Sequence, residues 1–151
     1  MTWQVALVAG AAPIPAEPAL LARAEPVHRQ LRPHLADDYA ATMAGIFADG
    51  GEMIVAMNSA GDVAGVAVYR CFRNTFSGVR FYVDDLVVDV SQRSSGVGKA
   101  MLAWMRQEAA RRGANGLQLE SGTQRTQAHK FYFREGFVIN AFSFKQDFEV
   151  N

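Results

Sequence analysis

The chain contains a single cysteine, Cys71, and this scarcity excludes both an internal disulfide and a cysteine-rich metal site. Its formal net charge is zero, with 15 Lys and Arg residues against 15 Asp and Glu residues. It therefore lacks the basic excess that is typical of a general nucleic-acid-binding protein. The three histidines, His28, His34 and His129, are widely spaced and follow no metal-ligand pattern. We therefore expect a cytoplasmic protein that binds neither nucleic acid nor metal.

Long apolar runs are scarce as well. Residues 5–12 are apolar, but this run is too short to cross a bilayer. No Lys or Arg precedes it, whereas an export signal begins with a basic region. We interpret residues 3–8 as a first strand and expect no contact with a membrane, with an export signal as the alternative.

Half of the residues are hydrophobic, so the 151-residue chain can bury a real core. No repeat, linker or low-complexity segment appears, and we expect one domain over residues 1–151. Helices are predicted at 19–31, where Pro26 should break the helix or start a second one, and at 39–47, capped by Asp37 or Asp38. Alternation of apolar residues predicts strands at 53–57, 63–72 and 80–88. Pro13, Pro15 and Pro18 should make a stiff connection after the first strand.

The most informative segment runs from Asp89 to Ala100. It follows the apolar strand residues Leu86, Val87 and Val88, and it opens a stretch over residues 97–112 with helical spacing of apolar side chains. A turn between a strand and a helix directs backbone N–H groups and the positive end of the helix dipole at one point. Because Gly96 and Gly98 lack a Cβ atom, a bulky anion can approach closely. We predict a phosphate or pyrophosphate site.

Two known phosphate loops do not match this turn. A Walker A loop requires Gly at the position of Arg93 and Ser or Thr at that of Ala100, and the dinucleotide fingerprint requires Gly or Ala at that of Met101. What remains is Arg-x-x-Gly-x-Gly over residues 93–98. This motif resembles the acetyl-CoA pyrophosphate loop of the GCN5-related N-acetyltransferase (GNAT) family, although an ordinary glycine turn can have the same letters.

A second motif strengthens the resemblance. Residues 116–120 form a predicted strand, and Ala-x-x-Phe-Tyr over residues 128–132, followed by Gly136 and Phe137, is similar to the second GNAT signature. We expect a short helix that carries Tyr132 and stops at Gly136, and a new strand from Phe137. The resemblance covers residues 50–147 well and the first fifty poorly. It implies an α/β fold with a single mixed, twisted, mostly antiparallel sheet, whose central strands splay apart and are flanked by helices.

The resemblance also implies which residues bind the co-substrate, acetyl-CoA. Backbone groups of the strand at Leu86 and Val88 would pair with the pantetheine arm, and an N–H group near Leu86 or Val87 would polarise the acetyl carbonyl. Read from the sequence alone, these residues are simply core. The expected cofactor contacts are Leu86, Val87, Val88, Arg93, Ser94, Ser95, Gly96, Val97, Gly98, Lys99 and Phe131.

Four residues are candidates for proton transfer or acceptor binding. The resemblance makes Tyr132 the acid that protonates the departing CoA thiolate. Asp84 and Asp85 lie in an apolar strand, where regular geometry sends only one of two neighbours to a given face unless a bulge intervenes. The pair resembles the acidic residues of polyamine and thialysine acetyltransferases. The alternative is a salt bridge to Arg80, Arg93 or Arg125. Glu120 is a second candidate base.

These observations predict an N-acetyltransferase that moves an acetyl group to a primary amine of a small, cationic molecule by direct attack in a ternary complex. A catalytically silent acyl-CoA-binding module and a protein N-terminal or lysine acetyltransferase are the alternatives. A homodimer is left open.

Overall fold

The computed structural model describes residues 2–11 and 16–149. Five strands span Gln4–Ala9 (β1), Gly51–Met57 (β2), Val63–Asn74 (β3), Gly78–Val88 (β4) and Leu117–Leu119 (β5). Four α-helices span Pro18–Leu31 (α1), Tyr39–Ala48 (α2), Val97–Arg111 (α3) and Thr126–Arg134 (α4). The predicted mixed α/β fold is confirmed.

The chain forms two compact units, Met1–Leu119 and Glu120–Asn151. The first unit contains one sheet in the order β1-β2-β3-β4-β5, in which the first three pairs are antiparallel and β4 pairs with β5 in parallel. The sheet is thus mostly antiparallel, as expected. The single domain over residues 1–151 stays a prediction. Pro13 and Pro15 of the expected stiff connection lie outside the described residues.

The first helix contradicts the sequence prediction at Pro26. Helix α1 runs through this residue without a break, and its first turn has Pro18, with the Glu17 carboxylate accepting from the Ala19 N–H. Pro26 is exposed, so the carbonyl that loses its helical hydrogen bond lies on the solvent side, where water can replace it. Leu20, Leu21 and Val27 are buried on the other side, and their burial stabilises the continuous helix.

Two faces of the first unit's sheet are covered by helices. Met53, Val55, Val66, Val68 and Val87 form a buried cluster with residues of α1 and α2. Gly65 lies against α3, because an added Cβ would be 2.6 Å from Met101 Cε and 2.7 Å from Val97 Cγ1. The residue before α2 is Asp38, whose side chain accepts from the Ala41 N–H at 3.0 Å, so Asp38 rather than Asp37 is the cap.

The second unit contains α4 and ends in an irregular segment. The strand predicted from Phe137 is wrong, since residues 137–149 form neither helix nor strand. A strand needs a partner for its backbone groups, and the described residues of this unit include no other strand. Several large apolar side chains of the segment are exposed: Val138, Ile139, Phe142, Phe144 and Phe148. Across the described residues, none of the helices combines the length and apolarity of a membrane-crossing segment.

A buried ion pair joins the end of α3 to β2. The side chain of Glu52 is 4% exposed, and Arg112 donates to both of its oxygens at 2.6 Å. Arg112 also donates to Glu108 at 2.7 Å, whereas the neighbouring Arg111 pairs with Glu108 from the surface. Removal of Arg112 would therefore leave the Glu52 carboxylate charged, buried and without its guanidinium partner.

We expect Arg112→Met to lower the free energy of unfolding by about 3–5 kcal/mol, because it breaks a buried pair from one side. Denaturant unfolding at neutral pH measures this loss. Arg111→Met is the matched control and should change stability little, since 69% of the Arg111 side chain is exposed. Adding Glu52→Gln to Arg112→Met should restore part of the loss. Equal losses in the two single variants would contradict this account.

Candidate functional site

A β-bulge in β4 places both acidic residues of this strand on one cavity. Asp85 lies opposite Val68 of β3, but Val83 lies opposite the next residue, Tyr69, so Asp84 is the extra residue of the bulge. A regular strand would turn neighbouring side chains to opposite faces. Here Asp84 and Asp85 both line a cavity of about 370 Å³. The structure therefore contains the bulge that the sequence analysis named as the exception to regular strand geometry.

The cavity lies within the first unit and combines charges of both signs. Its basic side chains are Arg32 and Arg70, and its third acid is Asp49 at the end of α2. His28 and His34 also line it, together with Leu35, Ile46 and Val68. Among the residues that the structure describes, no group of three His, Cys, Asp or Glu side chains is placed to hold a metal ion.

Asp85 has two partners on α1 and at its end. The ring nitrogen Nε2 of His28 lies 2.7 Å from Asp85 Oδ2, and Arg32 donates to Oδ1 from Nε at 2.9 Å and from Nη2 at 2.7 Å. Burial alone would raise the pKa of Asp85, but the hydrogen bonds and charges of His28 and Arg32 together hold it below its ordinary value. Asp85 is therefore an ionised carboxylate at neutral pH.

Asp84 makes a more exposed pair with Arg70. The guanidinium donates to both carboxylate oxygens, at 2.7 and 2.8 Å, and the rings of Phe72 and Tyr82 lie 5.4 and 5.3 Å from its central carbon. The salt bridges that the sequence analysis gave as the alternative for Asp84 and Asp85 are thus present for both acids. Its partners are Arg70, Arg32 and His28, whereas Arg80, Arg93 and Arg125 were expected. Register across the bulge decides these partners, and the sequence does not show it.

The turn before α3 has the backbone features that were expected of an anion site. Ser94 has φ 65° and Gly96 has φ 89°, and Gly96 precedes α3 without a side chain that caps the helix. The first N–H groups of α3 therefore keep their hydrogen-bonding capacity. Trp3 Nε1–H donates to the Ser95 carbonyl at 2.9 Å, which ties the turn to the start of the chain. Sequence reasoning missed this contact because it spans 92 positions.

Strand β4 has one free edge beyond the bulge. Its ladder with β5 contains three pairs, Phe81–Val83 with Leu117–Leu119, and ends there. Leu86, Val87 and Val88 pair with β3 on the other side, opposite Ala67, Val66 and Gly65. Within the described part of the first unit, the edge of β4 from Asp84 onward thus has no strand partner on the β5 side, so an extended ligand with amide groups can add to it.

The remaining candidates belong to the second unit and are described within it. The Tyr132 ring on α4 lies 5.6 Å from the rings of Phe131 and Phe137. Burial raises the pKa of Tyr132 and Arg125 offsets part of this effect, so the phenol stays protonated at neutral pH. Glu120 follows the end of β5 and is exposed, and its carboxylate accepts from Ser143 at 3.2 Å. His129 Nε2–H donates to the Gly122 carbonyl at 2.8 Å.

Comparison with known proteins decides the family. The acetyltransferase (GNAT) domain matches residues 49–139, more than half of the chain. The chain belongs to the GNAT family. Aminoalkylphosphonate N-acetyltransferase of Salmonella typhimurium is 37% identical over 62 residues, which cover 41% of this chain and 40% of that protein. The uncharacterized N-acetyltransferase YhdJ of Bacillus subtilis is 36% identical over 70 residues, covering 46% and 49%. The matches thus span less than half of each curated relative.

Solved GNAT structures share the fold with low sequence identity. Aminoglycoside acetyltransferase AAC(6')-Iy, solved with the bisubstrate analogue CoA-S-monomethyl-acetylneamine, superimposes with a TM-score of 0.82. The alignment covers 99% of this GNAT chain and 100% of the other at 17% identity. The first fifty residues, which resemble the family poorly in sequence, are included in this structural match. This structural match establishes the fold of the chain. It does not identify the molecule that this chain acetylates.

We expect Gly96→Ala to weaken acetyl-CoA binding about tenfold or more, because a Cβ disfavours φ 89° and moves N–H groups that each contribute about 1.5–3 kcal/mol to a charged ligand. Isothermal titration calorimetry measures the dissociation constant. Gly78→Ala is the matched control, since Gly78 has φ 74° and an added Cβ meets equally open space. Equal weakening in both variants would remove this turn from the cofactor site.

Proposed function

We propose that this GNAT protein is an acetyl-CoA-dependent N-acetyltransferase whose acceptor is a primary amine of a small molecule. One observation carries the proposal: the strand that presents Asp84 and Asp85 to the cavity leads, after Val88 and a short 3-10 helix at Val90–Gln92, into the glycine-containing turn before α3. A thioester on CoA bound along this strand would have its acetyl end toward the acids and its pyrophosphate at the turn. Both substrates would then meet at β4.

The first unit has suitable groups for CoA. The N–H groups of residues 94–99 would surround the pyrophosphate, with Arg93 and Lys99 adding positive charge. Backbone groups of Leu86 and Val88 would pair with the pantetheine amides along the free edge of β4. These contacts use backbone atoms, so the side chain of Val87 can remain buried in the core while the main chain binds the ligand.

The chemistry follows from amide formation. The acceptor enters as an ammonium ion, loses one proton, and its neutral nitrogen attacks the thioester carbonyl within the ternary complex. An N–H group near Leu86 or Val87 polarises that carbonyl as the carbon–sulfur bond breaks. Tyr132 donates its phenolic proton to the departing thiolate, and the second proton of the amine restores the phenol. The ammonium proton leaves through Asp84, Asp85 or a water held by Glu120.

The charge of the cavity supports a cationic acceptor. Its lining has three carboxylates, Asp49, Asp84 and Asp85, against two guanidiniums, Arg32 and Arg70, besides His28 and His34, and an ammonium group needs a counter-charge when it leaves water. A second acceptor class also has support. The two guanidiniums are nearly half exposed, so an amine that also carries an acidic group would find partners for both charges. The name of the Salmonella relative, an aminoalkylphosphonate acetyltransferase, points to the same class.

Two other activities compete with this proposal. A silent acyl-CoA-binding module would bind acetyl-CoA with the same turn but would acetylate none of the amines tested. A protein N-terminal or lysine acetyltransferase would modify peptides in preference to free amines. An acetylation assay that supplies small amines and peptides in parallel separates all three.

We expect Tyr132→Phe to lower turnover about 10²–10⁴-fold, because loss of a general acid has a cost of this size. Steady-state kinetics with saturating acetyl-CoA measures the effect, and acetyl-CoA affinity should barely change. Tyr69→Phe removes the hydroxyl of another buried tyrosine, in the core of the first unit, and should leave turnover unchanged. If Tyr132→Phe retains turnover within about threefold of the wild type, the acid is another group.

We expect Asp84→Asn to raise the KM of the amine about tenfold while the KM of acetyl-CoA stays constant, because only the amine needs this counter-charge. The fold should survive, since the Asp84–Arg70 pair is partly exposed. Asp37→Asn, an exposed acid outside the cavity, is the control.

The same kinetics over a panel of amines tests the acceptor class. The panel contains polyamines, aminoglycosides, uncharged-tail amines and amines with a carboxylate or phosphonate group. Polyamines or aminoglycosides should react best if the acceptor is purely cationic, and amines with an acidic group if the two arginines take part. A preference for uncharged-tail amines would show that the charge argument is wrong.

A further inference from the structure

A buried chain of hydrogen bonds stands behind Asp85. His28 is 1% exposed, and its Nδ1 atom lies 2.7 Å from the hydroxyl of Tyr39 while Nε2 lies 2.7 Å from Asp85 Oδ2. Tyr39 is buried as the first residue of α2. The chain therefore connects α2 through α1 to the bulged strand β4. None of the steps proposed above uses His28 or Tyr39.

The chemistry of Asp85 fixes the direction of its hydrogen bond with His28. The carboxylate of Asp85 is ionised and can only accept, so His28 Nε2 carries a hydrogen and donates. Burial raises the pKa of Tyr39, so its phenol keeps its proton and can donate to His28 Nδ1. Tyr39 donates to Nδ1 of a neutral imidazole or accepts from Nδ1–H of an imidazolium, and Nε2–H donates to Asp85 in both cases.

The Asp85 carboxylate has little remaining capacity to accept hydrogen bonds. A carboxylate has about four positions at which it accepts hydrogen bonds. His28 Nε2, Arg32 Nε and Arg32 Nη2 occupy three of them. About one position remains on a side chain that is 14% exposed and lines the cavity. Rotation of the carboxylate would break two or three good hydrogen bonds, so this position has a fixed direction.

We propose that His28 is a positioning residue: backed by Tyr39, it holds the Asp85 carboxylate so that its remaining acceptor position receives the ammonium group of the acceptor amine. The inference rests on the proposed function for the identity of that ammonium group. Sequence patterns gave no signal for it, because His28, Tyr39 and Asp85 are brought together only by the packing of α1 and α2 on the sheet.

The other charged groups near Asp85 define what the experiment must hold constant. Arg32 at the end of α1 contacts the second oxygen of Asp85, and Arg70 on β3 reaches the neighbouring Asp84. Asp49 and His34 line the same cavity. All four remain in each variant below, so changes in the behaviour of Asp85 report on His28 and Tyr39.

The test compares four variants with the wild type. His28→Phe keeps a ring of similar size but removes both hydrogen bonds, His28→Gln keeps an N–H donor for Asp85, and Tyr39→Phe removes only the distal hydroxyl. Val27→Ala is the destabilised control, because it creates a void in the core beside His28 without touching Asp85. Thermal unfolding of each variant is measured beside KM and kcat for both substrates, with the most reactive amine of the panel.

We expect His28→Phe to raise the KM of the amine about tenfold or more, since a hydrogen bond to a charged group is lost. The KM of acetyl-CoA should not change. His28→Gln should recover part of the amine KM, and Tyr39→Phe should have a smaller effect because Nε2–H remains. Val27→Ala should lower the melting temperature and leave both KM values unchanged. If His28→Phe lowers only the melting temperature, as Val27→Ala does, the proposal is overturned.

A second readout needs no acceptor and so separates this proposal from the proposed function. Carbon-detected NMR titration of the Asp85 carboxyl should give a pKa below its ordinary value in the wild type and a higher one in His28→Phe, with His28→Gln between them. If no amine is acetylated but this order is found, the proposed function fails while His28 still controls Asp85. An Asp85 pKa that is the same in the wild type and in His28→Phe overturns the proposal. If His28→Phe does not fold, the same comparison is made with Tyr39→Phe and His28→Gln.

Discussion

The bulge at Asp84 is the constraint on which the rest of the site depends. One extra residue in β4 shifts the alternation of side chains between the two faces of the sheet, so both acids line the cavity. Leu86, Val87 and Val88 still pair in register with β3. A regular strand would place one of the two carboxylates on the α3 side of the sheet, which is apolar. The bulge thus keeps an ionised group out of the core and gives the cavity its acidic character.

The hydrogen bonds of Asp85 explain how α1 and α2, in the first fifty residues that resemble the family poorly in sequence, are held against the sheet. Arg32 and His28, at the end of α1 and within it, both contact the Asp85 carboxylate of β4, and Tyr39 at the start of α2 contacts His28. Apolar packing alone is non-directional and allows a helix to rotate or slide. Buried hydrogen bonds fix the rotation, because an unsatisfied polar group in the core is costly.

The sequence predicted what local patterns encode and missed what packing decides. The turn over residues 93–98, α3 and the antiparallel strands follow from spacing and glycine, and they are present. The break at Pro26 was wrong because tertiary burial outweighed a lost hydrogen bond on the solvent side. The strand from Phe137 was wrong because a strand also requires a partner. The partners of Asp84 and Asp85 depend on register, which no local pattern contains.

The two acids of the bulge differ in the energetics of their ion pairs, and this difference suits different tasks. The Asp84–Arg70 pair is partly open to solvent, so exchanging Arg70 for a ligand cation costs little. Asp85 is 14% exposed and its partners are held by α1, so breaking its pairs would leave charges poorly solvated. Asp84 can therefore change partners during binding, whereas Asp85 can only add one. Under the proposed function, a cavity with one exchangeable and one fixed carboxylate would select an amine by position as well as by charge.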